Sequence, residues 1–452
     1  SRAMSLLGRK EVLTGKAKFG IFGDGKELPQ IAMAKAFQKG DFRSGYYRDQ
    51  TFMMAIDSLT PQQLFAGLYA HTDTDHEPMS SGRQMGGHYN TDLIDKNGTW
   101  LRQTDRYNSS SDVSCTAAQM PRLVGLAMAS KLYRTEEVFH DTKFSVNGNE
   151  VAWGTIGNAS TSEGHFFESL NAAGVHQVPM VVSIWDDNYG ISVENKDQTI
   201  KESISEALIG FQRNEEKNGF EILKVKGWDY PNLIHTYQKA NDIAREKHIP
   251  VIIHVTELTQ PIGHSTSGSH ERYKSLERLE WEKAHDCNIR MKKWIIDNQI
   301  ASKDELHSIE EKSLNEVKNA KNEAWNIYLK PILSKKNDLL TILEKIDLFD
   351  NISLKSSILK LQKIKEPNNK DLLSCSREVL RKLINFNSNE INLLKDWTLE
   401  IKKHNQKRYS SNLYNEYSSK EDNVKIINPE YNEKSKLVDG RVVLRNNFKR
   451  LF

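Results

Sequence analysis

Residues 150–164 read EVAWGTIGNASTSEG. The first seven residues, EVAWGTI, are a short apolar run of the kind a buried strand needs, and Gly157 stops it. From Ser162 onward, SEGHFFESLNAAGV spaces Phe166, Leu170 and Ala173 at helical intervals. A strand, a glycine turn and a helix therefore follow in order. VPMVVSIW (178–185) then reads as a second buried strand. Strand–helix–strand alternation with apolar strands predicts an α/β fold, with a mostly parallel sheet flanked by helices on both faces. In such sheets ligands sit beyond the carboxyl ends of the strands, in the loops that follow.

The pattern continues downstream. Ile200, Ile204, Leu208 and Phe211 mark a helix face, FEILKVKG (220–227) is a strand, NLIHTYQKANDIAREK (232–247) a helix, and PVIIHVTEL (250–258) a further strand. Beyond His270 the chain is rich in Lys, Glu and Asn. RLEWEKAHDCNIRMKKWIIDNQI (278–300) and SIEEKSLNEVKNAKNEAWNIYL (308–329) are expected as surface helices. Composition shifts near residue 330, which divides the chain into three expected parts. Residues 1–330 are the sheet domain, and 331–435 are a polar helical extension and linker with loop-like breaks at EPNNKD (366–371) and SSNLYNEYSSKEDN (410–423). Residues 436–452 begin something new, because VDGRVVLRNNFKRLF reads as a turn and a short strand.

The 452 residues carry 63 basic and 60 acidic side chains, a net charge of +3, with 38% hydrophobic and 27% charged residues. That balance gives no reason to expect nucleic acid or an acidic membrane surface as partner. No run of about 18 apolar residues is present, so no membrane span is expected. The three cysteines, Cys115, Cys287 and Cys375, form neither a CxxC pair nor a disulfide framework, which points to a reducing, cytoplasmic setting. Cys115 reads as an inert small residue, with no base beside it. The opening SRAMSLLGRK has no signal-peptide layout and no initiating methionine, as expected of a fragment or a processed form.

In GNASTSEG, Gly157 and Ala159 let the backbone approach a ligand. Ser160, Thr161 and Ser162 are placed to cap the helix, whose first N–H groups attract phosphate oxygens. Glu163 reads as a cap acid. Asn158-Ala159-Ser160 also spells a glycosylation sequon, which the absence of secretion signals sets aside. About thirty residues downstream comes WDDNYGIS (185–192), again after a strand. Two neighbouring loops would bring Asn158 and Asp187 to one point. An amide oxygen, a carboxylate and a backbone carbonyl, completed by phosphate oxygens, suit a hard cation such as magnesium. GDGK (23–26) is read as a loop turn, since no second loop of the WDDNYGIS kind follows at the same distance, where the chain reads TFMMAI; it also belongs to neither GxxxxGK[ST] nor GxGxxG.

The pair of loops resembles the thiamine diphosphate signature, which begins GDG and ends NN about thirty residues later. With SGYYRDQ, GRQMGGHY, SSSDVSCTAAQMPRLVG and IGHSTSGS, it makes residues 1–330 similar to the alpha chain of 2-oxo acid dehydrogenases, closer in motif to branched-chain than to pyruvate members. WDDNYGISV also resembles a bacterial form with alpha and beta halves fused, and VDGRVVLRNNF is similar to the opening of that beta half, which implies that 436–452 start a beta-half, transketolase-like pyrimidine-binding domain. The resemblance implies a thiamine diphosphate-binding fold plus the helical C-terminal extension. It makes Asn158 stand where the family has an acid, and Asp187 where it has the final Asn, so amide and carboxylate have exchanged places at unchanged ligand charge. Tyr189 matches the backbone-carbonyl ligand, and Asn188 the usual glycine, a position needing unusual backbone angles. Tyr47 and Arg48 match the phosphate-contacting pair, a role the planar guanidinium suits. Ser114 and Thr116 match the segment holding the aminopyrimidine, just before a helix with Met120, Leu123, Val124, Ala127 and Met128 on one face. His264 matches the active-site histidine, expected to titrate near neutrality; Ser265 matches a phosphorylated position and reads as loop-shaping; His88 is a candidate for lining the substrate channel.

The implied reaction is oxidative decarboxylation of a branched-chain 2-oxo acid, with transfer of the acyl group to lipoamide, as by 3-methyl-2-oxobutanoate dehydrogenase. Thiamine diphosphate and magnesium are the implied cofactors, the former supplying the electron sink. The implied partners are a beta subunit or beta half, which carries the glutamate that activates the cofactor, and a lipoyl acyltransferase core, in a dimer or heterotetramer. Pyruvate is the alternative substrate; a transketolase-like subunit and a non-catalytic remnant are the alternative functions.

Overall fold

The computed structural model describes residues 1–84, 86–139, 142–346, 352–410, 428 and 432–451. EVAWGTI supplies β3 (Ala152–Gly157), preceded in the chain by two short strands, β1 (Phe42–Ser44) and β2 (Asn108–Ser109). VPMVVSIW supplies β4 (Met180–Trp185). A small hairpin, β5 (Tyr189–Gly190) and β6 (Val193–Glu194), follows; then come β7 (Glu221–Lys226) and β8 (Val251–Thr256). Six of these form one sheet in the order β2-β1-β3-β4-β8-β7, every neighbouring pair parallel.

Side chains alternate across that sheet, as the strand period requires. Ala152, Ile156, Met180, Val182 and Ile252 face one core with Met120, Leu123, Ala127, Phe166 and Leu170, from the helices Gln119–Thr135 and Gly164–His176. Trp153, Val181, Trp185, Val251 and Ile253 face the other, with Met33, Leu233 and Tyr237 from the helices Glu27–Ala36 and Tyr230–Lys247. The two fully buried tryptophans still place their indole N–H groups: Trp153 Nε1 donates to Asp41 Oδ2 at 3.0 Å and Trp185 Nε1 reaches Asp49 Oδ1 at 3.4 Å.

Two expectations fail locally. The segment from Ile200 to Phe211 is not one helix. Lys201 and Glu202 take positive φ of 63° and 56°, which breaks it into single turns, and Ile200 stays exposed while Ile204 and Leu208 are buried. VDGRVVLRNNF is not a strand either. It forms the helix Gly440–Leu451, whose Leu444 and Phe448, spaced i, i+4, share an exposed face.

The long helix Lys303–Lys345 starts at a capping box of Ser302 and Glu305 and crosses the compositional break near residue 330. Val317 and Ala324 on its first half pack with Met4, Phe65 and Tyr69. Ile332, Leu339 and Leu343 on its second half build a separate core with Leu372, Val379 and Leu394 of the helices Asn369–Lys382 and Asn389–Ser410. Of the two expected loop breaks, EPNNKD runs into the Asn368 cap of one of these helices, whereas nearly all of 410–423 lies outside the described residues. Among the described residues no helix is long and apolar enough to cross a membrane.

His248 ends the helix Tyr230–Lys247 in the left-handed conformation, with its Nε2 3.1 Å from the Gly148 carbonyl. Burial, then the Arg134 guanidinium, push its pKa down to about 4. Because the unfolded chain binds this proton near pH 6.5 and the folded chain near 4, the contribution to stability is complete above about pH 6.5 and is lost as pH falls towards 4. The melting temperature should therefore drop across that window. His248→Asn, which keeps a residue tolerant of left-handed backbone, should flatten the drop. An unchanged slope in that variant would remove His248 as the cause.

Candidate active site

The carboxyl ends of β1, β3, β4 and β8 converge on one open cleft of about 830 Å³. In-register pairing of Gly157 with Trp185 fixes the geometry, because the loops carrying Asn158 and Asp187 then leave adjacent strands at the same level. The loop after β1 brings Tyr46, Tyr47 and Arg48, and the loop after β8 brings His264. Tyr47, Arg48, Thr116, Gly157, Asn158, Ala159, Ser160, Asp187, Tyr189 and His264 all line the cleft. Ser114 and His88 do not. They meet one another, His88 Nε2 lying 2.9 Å from Ser114 Oγ, and His88 borders a second cavity under Phe22 and Leu64.

Backbone geometry supports the phosphate reading of GNASTSEG, although not through side-chain caps. Ala159–Ser162 form a single 3-10 turn, Thr161 Oγ1 donates back to the Asn158 carbonyl, and Glu163 occupies the N-cap of the following helix without a side-chain cap bond. Ala159 and Ser160, at the start of that turn, carry the N–H groups that the turn cannot satisfy. Gly190 is required where it stands: a Cβ there would lie 2.8 Å from the Ala159 Cβ and 2.1 Å from Gln198 Oε1. Asn188 takes φ of 68°, the left-handed region that asparagine tolerates.

Arg48 is buried, with Nη1 on the Phe22 carbonyl at 2.5 Å and Nη2 on the His264 carbonyl at 3.1 Å, so it ties two site loops together. Its guanidinium also lies over the Tyr47 ring. The expected neutral-range titration of His264 is not found. Burial, then Arg48, push its pKa down to about 4, which leaves the imidazole uncharged at pH 7.

Sequence reasoning passed over Lys26. The GDGK segment does make a turn, but a buried one that reaches the site. Gly25 has φ of 81°, and a Cβ there would come within 2.1 Å of the Thr259 carbonyl oxygen, so only glycine fits. The turn delivers Lys26 Nζ to Asp187 Oδ2 at 2.9 Å, Gln260 Oε1 at 2.6 Å and the Thr259 carbonyl at 3.3 Å. Three acceptors match the three donors of an ammonium. Burial works against the charge on Asp187, yet Lys26, then Arg48 and Lys274, hold its carboxyl below the usual range. No local signal in the sequence links positions 26 and 187; only the tertiary fold does.

The oxygen donors fit a hard cation that brings its own phosphate ligands. Asp187 is ionised, Tyr189 offers its carbonyl, and Asn158 Oδ1 receives no hydrogen bond among the described residues while its Nδ2 is engaged. Among those residues there is no cluster of three or more His, Cys, Asp or Glu that could cage a metal alone. Three oxygen donors on one side leave room for the further oxygen ligands that a six-coordinate hard cation takes.

The sequence matches the family model described as Dehydrogenase E1 component over residues 2–331. It is 26% identical over 312 residues to the 2-oxoisovalerate dehydrogenase subunit alpha of Bacillus subtilis, covering 69% of this chain and 82% of that protein. It is 28% identical over 299 residues to the pyruvate dehydrogenase E1 component subunit alpha of Acholeplasma laidlawii, covering 65% and 71%. The corresponding mitochondrial subunit of Dictyostelium discoideum is 24% identical over 301 residues, covering 66% and 68%.

Proposed function

Since the chain belongs to the dehydrogenase E1 component family, we propose that it is the alpha part of the decarboxylating component of a 2-oxo acid dehydrogenase, acting on a branched-chain 2-oxo acid. The observation that carries this reading is the meeting of Asn158, Asp187 and Tyr189 with Tyr47, Arg48 and His264 in one cleft at the carboxyl ends of the strands. Thiamine diphosphate, when bound, would supply the electron sink for carbon dioxide loss. The residues of this chain act around it. Arg48 and the N–H groups of Ala159 and Ser160 bind the diphosphate. Asn158 Oδ1, Asp187 and the Tyr189 carbonyl hold magnesium. Uncharged His264 can exchange a proton with the reacting group without first losing one to solvent. Lys26 and Arg48 together offset much of the anionic charge gathered there.

Branched-chain specificity rests on motif likeness and on the similarity to the Bacillus subtilis protein; pyruvate is the competing substrate. The beta part and a lipoyl acyltransferase core would complete the machinery. The test is lipoamide-coupled turnover of 3-methyl-2-oxobutanoate and of pyruvate by the chain together with a beta partner. Preference for the branched acid upholds the full reading, and preference for pyruvate corrects the substrate. If the chain with a competent beta partner binds no thiamine diphosphate, the Lys26 ammonium is left as the permanent counter-ion of Asp187, and the enzyme assignment falls.

A further inference from the structure

Asn158 ends a buried chain of hydrogen bonds that the cofactor signature does not describe. Ser205 Oγ lies 2.8 Å from His254 Nδ1, and His254 Nε2 lies 2.8 Å from Asp186 Oδ2. Asn195 Nδ2 donates to both Asp186 oxygens, at 2.9 and 3.2 Å, and the Asn188 N–H also donates to Asp186 Oδ1, at 2.8 Å. Asn158 Nδ2 then donates to Asn195 Oδ1 at 2.7 Å and to the Tyr189 carbonyl at 3.2 Å. Each of these five side chains is less than a tenth exposed.

The direction of the chain is dictated by chemistry. The Asp186 side chain presents oxygens and no N–H, and it already takes the Asn188 N–H, so Asn195 turns its NH2 to Asp186 and its oxygen to residue 158. Residue 158 must therefore donate. An amide can do so and still keep one oxygen for the cleft. A carboxylate at 158 would set an acceptor against Asn195 Oδ1 and the Tyr189 carbonyl. The family signature carries an acid at this position and ends in two asparagines, the first of which falls on Asp186.

We infer that Asp186 and Asn195 are positioning residues that fix the donor–acceptor sense at position 158: they turn Asn158 Oδ1 to the metal–diphosphate site and make an amide, not a carboxylate, the side chain that functions there. The inference rests on the cofactor reading of the cleft. It accounts for the departure at 158 as half of a coordinated reversal whose other half is Asp186, and it makes the altered signature a working one.

The test is a four-chain cycle of parent, Asn158→Asp, Asp186→Asn and the double variant. Each is titrated with thiamine diphosphate, with and without magnesium, in the presence of a beta partner. In Asp186→Asn the amide at 186 can donate to Asn195, which flips and asks residue 158 to accept; the double variant matches residue 158 to Asn195 again and leaves only the longer contact with the Tyr189 carbonyl, 3.2 Å in the parent, without a donor. Each single variant should lose about tenfold or more of the magnesium-dependent affinity, and the double should return to within about threefold of the parent. A general loss of structure would lower binding with and without magnesium alike, and no second substitution would restore it. Equal or tighter binding by Asn158→Asp alone, or a double variant as weak as the two losses combined, overturns the inference. The melting temperatures of the same four chains without cofactor give a separate reading. If the parent binds no cofactor, the functional reading fails by itself. Recovery of the melting temperature in the double variant then upholds the directed chain, and additive losses overturn it.

Discussion

Asp187→Ala, titrated with thiamine diphosphate and magnesium beside the parent chain and a beta partner, should show at least about a hundredfold loss of affinity. Two effects act in the same direction. The substitution removes the one carboxylate among the candidate metal ligands, and it leaves the Lys26 ammonium, itself 2% exposed, without its counter-charge. Breaking a buried ion pair from one side costs about 3–5 kcal/mol, because the orphaned ion keeps its desolvation penalty. The variant should therefore also melt earlier. A second substitution separates the effects: adding Lys26→Met removes the stranded charge, so stability should recover while cofactor affinity does not. Recovery of both would mean that Asp187 serves only to neutralise Lys26, and affinity unchanged in Asp187→Ala would remove it from the metal site.

Arg43→Met should be among the most damaging single changes to the fold. Arg43 is fully buried in the middle of β1. Its Nε donates to Asp49 Oδ2 at 2.8 Å, Nη1 to Ser109 Oγ at 2.8 Å and Asp112 Oδ1 at 3.0 Å, and Nη2 to the Tyr46 carbonyl and Asp112 Oδ2 at 3.1 Å. Removing it strands two carboxylates, with an expected loss of about 3–5 kcal/mol or outright failure to fold. Lysine should not rescue it, since one ammonium cannot span the planar fork of contacts. Equilibrium denaturation in urea reads the loss; a decrease below about 1 kcal/mol would show that the buried triad is solvated or rearranged. Because Asp49 and the Tyr46 carbonyl belong to the loop that carries Tyr47 and Arg48, Arg43→Lys, if folded, should also bind diphosphate more weakly.

What the sequence disclosed follows from the range over which each signal acts. β3, β4 and β8 are legible because strands buried on both faces are nearly continuous apolar runs, and the helix Gln119–Thr135 because its buried Met120, Leu123 and Ala127 recur at helical spacing. β1 and β2 are three and two residues long, too short for any periodicity to register. The strand order depends on pairings between distant segments and has no local trace. In VDGRVVLRNNF the β-branched pair Val442-Val443 suggests a strand, yet Leu444 and Phe448 carry the helical spacing that the structure adopts. In the site, Asn158 and Asp187 were visible as the ends of a spaced motif, and Asn188 through its need for positive φ. Lys26 was not, and neither was the Asp186–Asn195 relay, because each acts through partners that only the folded chain brings near. His264 lines the cleft as its position implied, but its expected titration near neutrality has no counterpart, since the burial that depresses its pKa is a tertiary property.

The helix Lys303–Lys345 behaves as a shared beam. Its two halves are rooted in different cores, Val317 and Ala324 in one, Ile332 and Leu339 in the other, with Pro331 between them. Neither core can open without stripping one half of the same helix. The two regions should therefore melt in a single cooperative transition, and their amides should exchange with solvent at similar free energies of opening. A chain cut at the compositional boundary would not release a tidy module; it would leave each side with half a beam and an uncovered apolar stripe.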